Sequence, residues 1–196
     1  MICCLDLEGV LVPEIWIHVA ERTKIKELHL TTRDEPNYDK LMKMRIRILK
    51  SRGVTLKDVQ TVIAGINPLP GARKFLDRLR SQTQVVILSD TYYEFAMPLM
   101  KKLDYPTIFC NWLSQDSKGF IKNYHLREQN GKEKAVRALR KIGFEVRAAG
   151  DSYNDITMLK AAHRGVLFNP PPRIQKAFPQ FQVARSYSKL ERALLS

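Results

Sequence analysis

The sequence predicts an α/β fold: a mostly parallel sheet with helices between its strands. Three observations carry that expectation. Short apolar runs recur along the chain, each too short for an independent helix. Helical patterns alternate with them. Acidic residues stand at the carboxyl ends of three of the runs, where parallel sheets gather their ligands.

Four runs read as buried parallel strands: Ile2–Leu7, Gln84–Leu88, Val146–Gly150 and Gly165–Phe168. Each is rich in Val, Ile, Leu or Ala. The helical stretches between them are Gly71–Arg80, Tyr93–Leu103, Glu133–Ile142 and Asp155–Ala162. Right-handed crossovers follow from that alternation. Two stretches break it. Residues 14–66 hold no convincing strand and read as helices Glu14–Thr23, Tyr38–Arg52 and Leu56–Ala64. The expected organisation is therefore a core of residues 1–13 and 67–196, with residues 14–66 as a helical cap inserted after the first strand. Thr107–Leu126 reads as a β-hairpin around the turn residues Asp116-Ser117-Lys118-Gly119.

The 196 residues suffice for one ordinary core. Hydrophobic residues at 44% and charged residues at 27% argue against disorder. No apolar run approaches the roughly 20 residues that span a bilayer. The opening MICCLDLEGVLV carries Asp6 and Glu8 inside its apolar stretch, unlike a signal peptide, so the cytoplasm is the expected location. Cys3, Cys4 and Cys110 have no metal-ligand spacing and read as small core residues. The net charge is +13, yet Lys and Arg are spread along the chain without an arginine-rich tail or an aromatic RNA-binding pattern. A nucleic-acid partner is therefore disfavoured, and an anionic substrate is the simpler account. A homodimer is left open.

The acids at the strand ends are the strongest functional signal. Asp6 and Glu8 close the first strand, two residues apart, on one side of the chain. Ser89-Asp90 follows the second strand, although Asp90 could equally cap a helix. Asp151 and Asp155 follow the third within Gly150-Asp151-Ser152-Tyr153-Asn154-Asp155, where Ser152 and Asn154 can also serve as turn residues. A buried group of carboxylates repels itself unless protons or a cation compensate. A hard divalent ion on oxygen ligands meets that need, and phosphate chemistry favours Mg²⁺. Ser89 offers a hydroxyl to a phosphate, and Lys132 or Lys134 a point charge.

One basic residue is out of place. On a helical wheel of residues 40–50, Leu41, Met42, Met44, Ile46, Ile48 and Leu49 share a broad arc, and Arg45 falls near its middle. Snorkelling is the bland explanation. A buried guanidinium otherwise needs an anion, and a substrate carboxylate or phosphate is the expected one.

Together, Asp6-Leu7-Glu8-Gly9-Val10, Ser89-Asp90, Lys132 and Gly150–Asp155 resemble the motifs of the haloacid dehalogenase superfamily. The inserted helices resemble its C1 cap, on a Rossmann-like core. DLEGVLVPEIWI, LMKMRIRIL, VVILSDTYYEF, AAGDSYNDITML and FPQF resemble the phosphoserine phosphatases, above all the branch that also transfers phosphate from phosphoserine to homoserine. Most family phosphatases have Asp where this chain has Glu8; that branch is similar in having Glu. The resemblance implies an Mg²⁺-dependent phosphoserine phosphatase with homoserine as a second acceptor. It implies Asp6 as nucleophile and Glu8 as general acid and base. The metal would be held by Asp6, the Glu8 carbonyl and Asp151, with Asp155 and Asn154 supporting them. Ser89 and Lys132 would bind phosphate. Glu14 would meet the substrate amine, Arg45 its carboxylate, and Tyr38 would line the pocket. Another small phosphate metabolite remains the competing substrate.

Overall fold

A computed structural model of the chain describes residues 1–31, 34, 35 and 37–196. Its strands are β1 (Ile2–Leu5), β2 (Gln84–Tyr92), β3 (Thr107–Gln115), β4 (Ile121–His125), β5 (Val146–Gly150), β6 (Arg164–Phe168) and β7 (Gln182–Ala184). They form one sheet in the order β4-β3-β2-β1-β5-β6-β7. Every pairing is parallel except β3 with β4. The helices are α1 (Ile15–Thr23), α2 (Tyr38–Ser51), α3 (Leu56–Ala64), α4 (Ala72–Arg80), α5 (Tyr93–Lys102), α6 (Gly131–Lys141), α7 (Ile156–Ala161), α8 (Pro172–Ala177) and α9 (Tyr187–Leu195).

β1 sits at the centre, with Cys4 opposite Val86 of β2 on one side and Ala148 of β5 on the other. From β1 the chain order runs outward in both directions. The crevice beyond its carboxyl end is therefore the switch point of the sheet. Alternate residues of β1 enter two separate cores. Cys3 and Leu5 pack in one layer, Ile2 and Cys4 in the other. Burial pushes the Cys3 and Cys4 thiols up to about 12, which suits inert core residues.

Four features differ from the sequence expectation. β2 runs on to Tyr92 rather than ending at Leu88, so Ser89 and Asp90 lie within it and not after it. β1 ends at Leu5 rather than Leu7, because the Leu7 carbonyl accepts from the Leu11 and Val12 N–H groups and folds the chain back through Gly9 at φ 75°. The hairpin is present, but β3 also joins β2 in parallel, so it extends the main sheet instead of leaving it. Its alternating exposure disguised it as a separate element. Beyond Phe168, α8, β7 and α9 complete the fold. There Tyr187 stacks on both Phe75 and Phe168 at 4.9 Å and donates its hydroxyl to Val10 O at 2.8 Å.

Residues 14–66 contain α1, α2, α3 and a 3₁₀ turn at Lys26–His29, with no strand among the described residues. Asn37 caps α2 by accepting from Lys40 N–H, and Thr55 with Asp58 forms a capping box on α3. Val19, Met42, Val59 and Ile63 belong to the same apolar cluster as Leu5, Leu7 and Phe95. These helices thus share the core beneath them rather than enclosing one of their own. They are also tied to the hairpin. Lys50 pairs with Asp116 at 3.0 Å, Leu56 N–H bonds Gly119 O at 2.9 Å, and Tyr124 donates to Asp39 at 2.8 Å. No helix of the described residues is long and apolar enough to cross a membrane.

Candidate active site

The turn after β1 and the turn after β5 meet over the switch point. Asp6 is 5% exposed. Its Oδ1 accepts from Leu7 N–H at 2.8 Å and pairs with Lys132 Nζ at 2.8 Å. Its Oδ2 accepts no hydrogen bond from the described residues. Asp155 is fully buried. One oxygen takes Lys132 Nζ at 2.8 Å; the other takes the Asp151 and Ser152 N–H groups at 3.0 Å and the Ser152 hydroxyl at 3.2 Å. Gly150 and Gly9 make this closeness feasible. A Cβ at Gly150 would collide with the Asp155 carboxyl, and one at Gly9 with that of Asp151.

Asp6, Asp151 and Asp155 each turn an oxygen into a space where all three lie within 4.8 Å of one another. Burial comes first and mutual repulsion second in the acidity of Asp6 and Asp151. Burial, then the charge of Asp155, holds Asp6 well above the usual carboxylate range despite Lys132. Asp151 is pushed up to about 7 by burial, then by Asp155 and Glu14. For Lys132, burial alone would lower the ammonium, but Asp155, Asp6 and Asp90 outweigh it and raise it well above its ordinary value. One cation serves three acids, so the cluster keeps a surplus of negative charge. All its donors are hard oxygens. That set fits Mg²⁺, with Asp6 and Asp151 as the acids whose oxygens are least engaged.

Lys132 is the lysine at the cluster; Lys134 points away and pairs with exposed Glu128 at 2.6 Å. The phase of α6 decides this, because Lys132 shares its buried face with Ala135 and Val136. Ser89 is 7% exposed and lies with Asp90 inside β2, where the pairing with β3 is irregular between Leu88 and Tyr92. Asp90 does not cap α5, whose N-cap is Tyr92. It lies exposed at 3.8 Å from Lys132, while its carbonyl accepts from Asn111 Nδ2. Asn154 lies exposed in the turn, and its side chain makes no hydrogen bond to the carboxylates among the described residues.

Glu8 turns toward the helices of residues 14–66. Its Oε2 accepts the N–H of Ile15, the first residue of α1, at 2.8 Å. Burial, then the neighbouring charge of Glu14, pushes Glu8 up to about 8. Glu14 is exposed at the cap's edge, one residue before α1.

Arg45 hangs from α2 above this space, 5% exposed. Nη2 donates to Leu30 O at 2.7 Å, Nη1 reaches Met42 Sδ at 3.7 Å, and the guanidinium lies 4.4 Å over the Trp16 ring. No carboxylate pairs with it among the described residues, and Nε is buried with no hydrogen-bond partner. Burial lowers its pKa, opposed by Tyr38, Tyr92, Glu8 and Glu14, so those groups share its surroundings. Tyr38, two turns earlier on the same helix face, bonds hydroxyl to hydroxyl with Tyr92 at 2.6 Å. Tyr92 and Trp16 fall within VVILSDTYYEF and DLEGVLVPEIWI, but neither segment marks them for a role, and singly both pass for ordinary core aromatics.

The comparisons with known proteins bear on the family and the fold. Residues 1–163 match the model of the haloacid dehalogenase-like hydrolases. The chain is 52% identical to phosphoserine phosphatase ThrH of Pseudomonas aeruginosa, covering 99% of this chain and 95% of that protein. It is 49% identical to a phosphoserine phosphatase of Pseudomonas syringae pv. tomato, covering 99% and 82%. Its fold resembles a substrate-bound phosphoserine phosphatase (TM-score 0.80, 19% identity, 98% of this chain and 97% of that one). It also resembles a phospho-aspartyl intermediate analogue of a phosphoserine phosphatase (TM-score 0.79, 19% identity, 98% of each chain). The chain belongs to the haloacid dehalogenase-like hydrolase family, in its phosphoserine phosphatase branch.

Proposed function

We propose that this chain is an Mg²⁺-dependent phosphoserine phosphatase that works through an aspartyl-phosphate on Asp6 and can pass the phosphoryl group to L-homoserine as well as to water. The observation that supports it most is the pairing of two half-sites. Three carboxylates and one buried lysine gather at the strand ends, and a buried arginine without a carboxylate partner among the described residues waits in the cap above them.

Asp6 Oδ1 is held by Leu7 N–H and Lys132, so the carboxylate is fixed in direction with Oδ2 open for attack on phosphorus. Lys132 carries positive charge toward the transferring oxygens, and Ser89 offers a hydroxyl donor beside it. Asp6 and Asp151 would hold Mg²⁺, with the Glu8 carbonyl as the ligand that the family resemblance implies and Asp155 orienting Lys132 and the Asp151 turn. Bound there, Mg²⁺ supplies further neutralisation of the phosphoryl oxygens.

As the ester bond breaks, the leaving seryl oxygen takes the proton of Glu8. A carboxyl pushed up to about 8 is protonated at neutral pH and suited to that role. The resulting Glu8 carboxylate then removes a proton from the incoming hydroxyl. That oxygen attacks phosphorus, the acyl-phosphate bond breaks, and Asp6 is regenerated. Arg45 would bind the substrate carboxylate and Glu14 its amine, while the cap excludes bulk water.

The test is phosphate release from L-phosphoserine after exhaustive EDTA treatment and after Mg²⁺ is restored, with Asp6→Asn alongside. Turnover that needs Mg²⁺ and vanishes in Asp6→Asn is expected. Full turnover without divalent metal, or by Asp6→Asn, would refute the mechanism.

A further inference from the structure

We propose that Trp16 is a positioning residue for substrate selection: its ring holds the Arg45 guanidinium ready for a carboxylate. This rests on the phosphoserine reading and deepens it.

Arg45 poses a physical problem. It is a buried cation with no carboxylate partner among the described residues, although Glu8 and Glu14 lie close enough to stabilise its charge. Collapse onto either acid would occupy both the arginine and the acid before substrate arrived. The described contacts of the guanidinium are instead neutral ones. Leu30 O takes Nη2, Met42 Sδ takes Nη1, and the Trp16 face lies 4.4 Å beneath the charge. A desolvated cation over an indole face is attracted by the ring quadrupole without neutralisation. Nε keeps its hydrogen unused.

The ring is itself fixed from the core. Trp16 on α1 packs edge-on against Phe95 of α5 at 5.4 Å. Phe95 packs edge-on against Tyr92 at 5.6 Å, and Tyr92 bonds Tyr38 at 2.6 Å. Tyr38, Met42 and Arg45 form one stripe on α2, spaced by four and three residues. The cap helix is therefore held at both ends of the stripe through one aromatic series. Trp16 is the member that touches the charge. Being half-buried, it can be replaced with less damage than fully buried Phe95.

The experiment is steady-state kinetics on L-phosphoserine and on O-phosphoethanolamine, which keeps phosphate and amine but lacks the carboxylate. Trp16→Leu is expected to raise the KM for phosphoserine about tenfold relative to that for phosphoethanolamine, while kcat for phosphoserine holds. Trp16→Phe, which keeps a weaker aromatic face, should fall between Leu and wild type and covers the case in which Leu does not fold. In an Arg45→Ala background the same substitution should add no further rise in KM. Equal losses on both phosphates, or a loss that adds fully to that of Arg45→Ala, would overturn the Trp16 assignment alone. A wild-type chain that ignores phosphoserine would overturn the functional reading itself, and this inference with it.

Discussion

Lys132 Nζ stands 2.8 Å from Asp6 Oδ1 and 2.8 Å from Asp155 Oδ1, so one buried ammonium joins the turn after β1 to the turn after β5. Removing one member of a buried charge group leaves the others uncompensated, at about 3–5 kcal/mol. Lys132→Met should therefore lower stability by that order and abolish turnover. Raising Mg²⁺ should recover part of the stability, because a second cation can enter the same acidic space. Urea melts with and without Mg²⁺ check this. An unchanged midpoint in the metal-free variant would show that the lysine is not holding the cluster.

Acidity gives a second prediction. Asp151 at about 7 and Glu8 at about 8 lie above their unfolded values. A carboxyl raised on folding binds its proton more tightly in the native state. Its contribution is complete at low pH and is lost as pH rises through the folded pKa. The EDTA-treated protein should thus lose melting temperature between about pH 5 and pH 8. Mg²⁺ displaces protons from Asp151 and from Asp6, which is raised as well, so its stabilising effect should grow over that interval. Exposed acids such as Asp39 and Asp58 shift downward and act in the opposite sense, but solvent screens them. Thermal melts across pH, with EDTA and with Mg²⁺, isolate the site as the gap between the curves. A gap that narrows toward pH 8 contradicts the acid cluster as the metal site.

Arg45 supplies the third. A charge-assisted contact is worth about 1.5–3 kcal/mol. Arg45→Ala should lower kcat/KM on phosphoserine by about 10- to 100-fold beyond any loss on phosphoethanolamine. Parallel losses on both would make Arg45 a structural residue of the cap.

Much of the site was legible because strand ends are legible. The apolar runs of β1 and β5 announce themselves by burial on both faces, and whatever follows them lies at the switch point. Arg45 stood out because helical phase alone put it among Leu41, Met42 and Leu49, which are buried beside it. The choice between Lys132 and Lys134 is written in helical phase, which puts Lys132 on one face with Ala135 and Val136. β3 was harder: a strand exposed at alternate positions looks like a free hairpin until its partner is known. β7 has three residues, too few for periodicity to register. Trp16 and Tyr92 were invisible for another reason. Their significance lies in contacts between distant segments, Trp16 with Arg45 and Phe95 and Tyr92 with Tyr38, and no local pattern encodes those.

The last prediction concerns the second nucleophile. An aspartyl-phosphate on Asp6 does not dictate what receives the phosphoryl group; whichever hydroxyl lies in line beside a general base will take it. Glu8 reaches one methylene further than the Asp usual in family phosphatases, and its carboxylate is anchored by Ile15 N–H at the cap rather than by the core. Homoserine carries the same amine and carboxylate as serine, so Glu14 and Arg45 could hold it once serine leaves. Its extra methylene moves the hydroxyl outward, a difference that pockets discriminate by only about 1–3 kcal/mol. Water is small and abundant, so hydrolysis should continue in competition. Incubating the protein with Mg²⁺, phosphoserine and rising L-homoserine should yield O-phosphohomoserine by mass spectrometry, with free phosphate falling in proportion. Glu8→Asp should shift the partition toward phosphate, since the shorter base sits further from the longer acceptor. If saturating homoserine leaves phosphate as the sole product, acceptor transfer is absent and the chain is a hydrolase alone.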